Sequence, residues 1–206
     1  MQKREGVAIA HTSVTNHRIV ARPDEPFPEA AFQMTTAALP DLIYLNAESA
    51  ESAPPAITLL QAYSQLKDQS PAYAASYQRV LNELEKSEPE NAIVQAALGH
   101  QTLAANQWDA AAEHLQQSLK LNPAQPAVYA DLSAVAEQKG EAAEAVTLQQ
   151  KAVMLDPYNA ALQKSLVLRL IDAKQYPEAE AAMEKYLENF PEDDFMRKML
   201  AIAKQP

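Results

Sequence analysis

The 206-residue sequence predicts an all-α fold, a solenoid of stacked helix hairpins behind an extended, Pro-rich N-terminal segment. Three observations predict it. Pro89, Pro123, Pro157 and Pro191 recur every 34 residues, and a fixed period of that size marks an array whose units bury their apolar faces only by stacking. The same spacing relates Leu98, Leu132 and Leu166, then Ala111, Ala145 and Ala179, then Leu119, Val153 and Leu187. Only 3 glycines and 4 phenylalanines accompany abundant Ala, Gln, Leu and Glu, a balance that favours helix over sheet.

Residues 1–54 differ from the rest, with Pro23, Pro26, Pro28, Pro40 and Pro54 among Thr and Val. Val7 to Val20 suits a short extended piece. The prolines at 23, 26 and 28 exclude regular structure over Ala21 to Pro28. Glu29 to Ala38 suits a short helix. Leu42-Ile43-Tyr44-Leu45 is a compact apolar run, expected as an extended segment that packs on something, the chain's own repeats included. Composition alone reads this segment as a partly ordered tail.

Helices begin after Pro54-Pro55, where Pro55 suits a first turn. Leu59, Leu60, Tyr63 and Leu66 make one apolar stripe. Ser70-Pro71 reads as an N-cap and first position, and Tyr73, Tyr77, Val80, Leu81 and Leu84 make the next stripe. This hairpin, 55–91, lacks the leucine and alanine columns and reads as a degenerate first repeat. Clear units follow at 92–125, 126–159 and 160–193. Each has a turn column, Asn106, Gly140 or Lys174. Gly and Asn tolerate a left-handed backbone, whereas Lys174 there costs roughly 1 kcal/mol. Alanine early in each second helix lets two helices approach closely, and Trp108 after the first turn should pack between helices. Asp194 opens a last helix within 194–206, with Phe195, Met199 and Ile202 expected to cover the final unit.

The composition also excludes function classes. Net charge is −10 and no Lys/Arg run exceeds two residues, so a phosphate backbone is not an expected partner. No apolar run reaches the ~18 residues of a membrane span. The basic start, Met1-Gln2-Lys3-Arg4, has no apolar stretch behind it and so does not read as a signal peptide. The absence of cysteine removes disulfides, thiolate zinc sites and covalent haem attachment from this chain. No phosphate loop, nucleophile elbow or zinc motif occurs, and the chain is not expected to be an enzyme. His100 and His114 fall on different helices and are expected as satisfied structural histidines.

Leu98-Gly99, Trp108, Ala111, Leu115 and Pro123 together resemble the pattern of the tetratricopeptide repeat family. The next unit keeps Leu132, Gly140, Ala145, Ala152 and Pro157 but has Ser133 after its leucine; the third keeps Leu166, Tyr176, Ala179, Tyr186 and Pro191 but has Val167. The resemblance spans about residues 55–206 and implies a right-handed superhelix whose first helices line a concave face. Carried over by alignment, that face comprises Ile93, Ala96, His100 and Leu103; Ala127, Ala130, Ala134 and Gln138; and Ala161, Lys164, Leu168 and Ile171. Each is expected either at the groove surface or in the core. The implied function is a protein-interaction scaffold that takes a helix or an extended peptide. Family members that grip a C-terminal carboxylate place Lys, Asn and Arg on successive first helices. Here those sites are mostly alanine, with Lys164 alone, which disfavours such a receptor.

A second resemblance lies in the tail. His11 to Ile19, followed by Pro23, is similar to the segment after a haem-attachment motif in multihaem c-type cytochromes that end in tetratricopeptide repeats. Met1-Gln2-Lys3-Arg4 resembles the Met-Pro-Lys-Arg found there, with Gln2 departing from Pro. The resemblance implies His17 and His11 as axial haem ligands only within a longer, periplasmic parent; otherwise the chain is expected in the cytoplasm. No cofactor is expected in this chain, and haem c only in that parent. The alternative function is therefore the C-terminal part of an electron-transfer protein.

Overall fold

The computed structural model describes residues 3–5, 13–15 and 54–204. The chain divides into two units, 1–43 and 44–206. In the first, β1 (Lys3–Glu5) pairs antiparallel with β2 (Ser13–Thr15), Arg4 opposite Val14. The second strand falls inside the extended piece expected from Val7 to Val20. The first falls in the basic start, which carries no strand pattern: three residues of Lys, Arg and Glu show no alternation, and only a partner strand makes them one.

Among the described residues of the second unit run nine helices. They are α1 (Ala56–Leu66), α2 (Pro71–Ser87), α3 (Ala92–Ala104), α4 (Trp108–Leu121), α5 (Pro126–Gln138), α6 (Ala142–Leu155), α7 (Ala160–Asp172), α8 (Tyr176–Asn189) and α9 (Asp194–Ala203). The helices α1, α3, α5 and α7 each pair with the one after, each hairpin packs on the next, and α9 packs on α8. The result is the solenoid of stacked hairpins that the 34-residue period predicts. No helix among the described residues is long and apolar enough to cross a membrane.

Local chemistry sets the helix starts. Ser70 accepts a hydrogen bond from the Ala72 N–H with Pro71 at the first position, Asn91 accepts from Ile93, and Asn159 accepts from Ala161 and Leu162. The turns inside the three clear units are identical in kind. Asn106, Gly140 and Lys174 take φ of 59°, 79° and 59°. In each, the N–H of that residue reaches a carbonyl three back, and the next N–H reaches five back, as in Gln107 to Thr102 at 2.9 Å and Gln175 to Leu170 at 2.8 Å. This is the paired helix-ending motif that requires a left-handed residue.

Those turns yield a first prediction. Lys174→Gly relieves a left-handed lysine and should raise stability by about 1 kcal/mol. Gly140→Ala should lower it by a similar amount, purely conformationally, because a Cβ there meets nothing within 4 Å. Urea midpoints moving in opposite directions would bear this out; no change in either variant would contradict it.

The core runs through the alanine columns. Ala111, Ala145 and Ala179 are all buried, and beside them lie Leu115, Val128, Leu132 and Val135 in one cluster and Val167, Met183, Tyr186 and Met196 in another. Trp108 packs against the first cluster, as expected. The buried polar side chains are satisfied. Ser118 Oγ donates to the Ala92 carbonyl at 2.7 Å, Ser133 Oγ to that of Ala145 at 2.8 Å, and Gln149 Nε2 to that of Leu162 at 2.9 Å. Gln95 Nε2 donates to the Pro89 carbonyl at 2.7 Å, and Gln163 makes the same bond to Pro157. The glutamines thus cap the carbonyls of the prolines that end the preceding unit.

One packing expectation is corrected. The sequence expects Phe195 and Ile202, with Met199, against the final unit. The structure instead buries Met196, with Met199 and Leu200 beside it, and leaves Phe195 and Ile202 60% and 68% exposed. The helix is N-capped by Asp193, whose side chain accepts from the Met196 N–H at 3.1 Å. Asp193 also accepts from the Tyr186 hydroxyl at 2.8 Å, which ties the helix start to α8, and packing against Val167, Met183 and Tyr186 makes the inward stripe 196, 199 and 200, with Phe195 one step off it.

Candidate functional site

The first helices of the hairpins, α1, α3, α5 and α7, form one face. Across it, between α1, α3 and α5, opens a groove of about 420 Å³. Its floor is apolar: Leu60 from α1, Ile93 and Ala96 from α3, Ala127 and Val128 from α5, with Tyr77 from α2 closing one side. Its rim is polar and charged: Lys67 and Asp68 follow α1, His100 comes from α3 and Asp131 from α5.

The rim is electrostatically organised. His100 Nδ1 lies 3.4 Å from Asp131 Oδ2, joining two successive units. The Asp131 carboxylate raises the His100 imidazole above its ordinary value, outweighing partial burial. The Lys67 ammonium sits 5.1 Å from the centre of the Tyr77 ring. Burial pushes the Tyr77 hydroxyl up.

Of the residues expected on the concave face, Ile93, Ala96, His100 and Ala127 come together in this groove. Leu103 turns toward the cluster around Leu115 and serves the core, as Ala96 does in part. Ala130 and Ala134 are half-buried on α5, while Gln138 at its end and Ala161 and Leu168 on α7 are exposed. Lys164 is held by Asp193 at 2.6 Å. Ile171 lines a different pocket of about 410 Å³ with Met183, Met199 and Ile202. A third pocket, of about 440 Å³, lies among Val153, Met154, Pro157, Leu166 and Ala182, beside the exposed Met154 and Tyr158.

Leu60, Lys67, Asp68, Tyr77 and Asp131 were not expected in the site. The first four sit in the hairpin without repeat columns, so alignment assigns them no face. Asp131 stands one helical turn short of a full repeat from His100, and that offset is the signal that pairs them. The other described histidine, His114, is a structural one, its Nδ1 2.8 Å from Gln95 Oε1. No group of three or more His, Cys, Asp or Glu that could hold a metal occurs among the described residues. His11, His17 and the run Leu42 to Leu45 lie outside the described residues.

No family model matches the chain. A curated relative, the small glutamine-rich tetratricopeptide repeat-containing protein 2 of Mycosarcoma maydis, is 28% identical over 109 residues, 53% of this chain and 31% of the relative. The chain thus spans about a third of that relative's length. Among solved structures, MamA aligns with a TM-score of 0.57 at 20% identity, covering 66% of this chain and 80% of that one. A chain of the APC/C hetero-tetramer Cut9-Hcn1 aligns with a TM-score of 0.61 at 16% identity, covering 73% of this chain and 29% of that one. The hairpin array is a helical-repeat solenoid. Its fold is that of a tetratricopeptide repeat protein.

Proposed function

We propose that the chain is a non-catalytic interaction scaffold that binds a peptide or a helix along the first-helix face of its repeats. The observation that carries this reading is the groove between α1, α3 and α5, whose apolar floor is framed by charged groups. A floor of that kind gains by taking apolar side chains out of water, and the polar rim orients what enters. The small Ala96, Ala97 and Ala127 leave room for a ligand's side chains rather than filling the groove with the protein's own.

The test uses binders selected from a randomised peptide display library on the full chain. Ile93→Trp sets a bulky uncharged ring into the groove and should weaken such binders at least about tenfold by filling the space they need. Met154→Arg, in the pocket of the second helices, should leave them unchanged. The opposite pattern would move the binding face to the second helices.

A further inference from the structure

We propose that the groove selects a short apolar peptide segment carrying one lysine or arginine, whose cation is received by Asp131 and Asp68. This rests on the groove reading above and adds the charge of the ligand. Both carboxylates line the groove. Among the groove's lining residues Lys67 is the one permanent cation, and it is already turned over the Tyr77 ring. Farther along the first-helix face, Lys164 is bound to Asp193 and Arg169 to Glu137, so neither offers an unpaired positive charge. The whole chain carries −10. An acidic ligand would bring its charge against two carboxylates across apolar walls, whereas a cation there finds a charge-assisted partner.

His100 makes the selection depend on pH. Asp131 from α5 and Asp68 from the turn after α1 favour its proton, while Lys67 and partial burial oppose it, and the balance holds the proton beyond the ordinary value. Protonated, the imidazolium occupies Asp131; neutral, it leaves that carboxylate to the ligand. Affinity for a cationic peptide should therefore rise as pH climbs through a transition above the ordinary ~6.5 of histidine.

The experiment is selection from the same display library, with the uncharged, groove-filling Ile93→Trp as the counter-selection that defines groove-specific binders. The expected result is enrichment of Lys or Arg among apolar residues. Asp131→Asn and the exposed Asp68→Asn should each weaken those binders by about threefold to tenfold. Affinity should be lower by a similar factor at about pH 5.5 than at about pH 8.5, and His100→Gln should abolish that difference. Asp68 stands outside the core, so its variant reports on charge even if Asp131→Asn perturbs the fold. Groove-specific binders enriched in Asp or Glu, or without charge preference, would overturn the inference and leave the groove reading intact. Binders that all ignore Ile93→Trp would overturn the groove reading and this inference with it.

Discussion

Replacing Leu115 by alanine lowers the stability of the repeat array by about 2–5 kcal/mol, read as a lower urea midpoint at unchanged slope. Leu115 is fully buried and packs in the cluster with Ala111, Val128, Leu132 and Val135, so its removal leaves a cavity between two successive hairpins. Its side chain also presses on Gly99. A Cβ added at Gly99 would lie 2.6 Å from Leu115 Cγ and Cδ2, and 3.2 Å from the Leu115 backbone nitrogen. Gly99→Ala alone should therefore cost about 1–3 kcal/mol through overpacking. In the Leu115→Ala background the same methyl enters vacated space and should cost clearly less, a coupling that a double-mutant cycle measures. Strict additivity would mean that α3 and α4 do not make this close approach.

Tyr186→Ala is expected to be as damaging, about 3–5 kcal/mol, because its ring is 2% exposed and fills the cluster shared by α7, α8 and α9. Tyr186→Phe keeps the ring and loses the hydroxyl, which donates to Asp193 Oδ2 at 2.8 Å, at a cost of about 1 kcal/mol. Asp193 adds a pH signature. Lys164, then the Met196 N–H, then the Tyr186 hydroxyl hold its carboxyl well below the usual carboxylate range. A folded value depressed below the unfolded ~3.9 means stabilisation that is present above about pH 5 and lost as pH falls through the carboxylate range. Protection factors of the α9 amides, corrected for intrinsic exchange, should fall selectively in acid, and Asp193→Asn should remove most of that dependence. Equal acid sensitivity in the variant would show that the anchor lies elsewhere.

The sequence discloses some features of this molecule and hides others for physical reasons. The turns at Asn106, Gly140 and Lys174 are legible because only a left-handed backbone closes a hairpin in that register, and two of the three residues favour it. The alanine column is legible because a close helix contact tolerates little else. Met196 is missed because a short amphipathic helix offers two inward stripes, and only packing against α7 and α8 decides between them. The glutamine bonds to the Pro89 and Pro157 carbonyls are missed because glutamine reads as a surface residue until its partner is placed. Part of the groove is legible through the repeat alignment, namely Ile93, Ala96, His100 and Ala127. Another part, Leu60, Lys67, Asp68 and Tyr77, sits in a hairpin that has lost the columns alignment depends on, and only packing brings it to the same groove as Asp131 of α5.

Backbone amide shift mapping with a groove-specific peptide tests the scaffold reading most directly. Perturbations should concentrate at Ile93, Ala96, His100, Ala127 and Asp131, on α3 and α5, with Leu60 and Lys67 joining them from the first hairpin. Perturbations concentrated instead at Val153, Met154 and Ala182 would place the ligand on the second helices and contradict it.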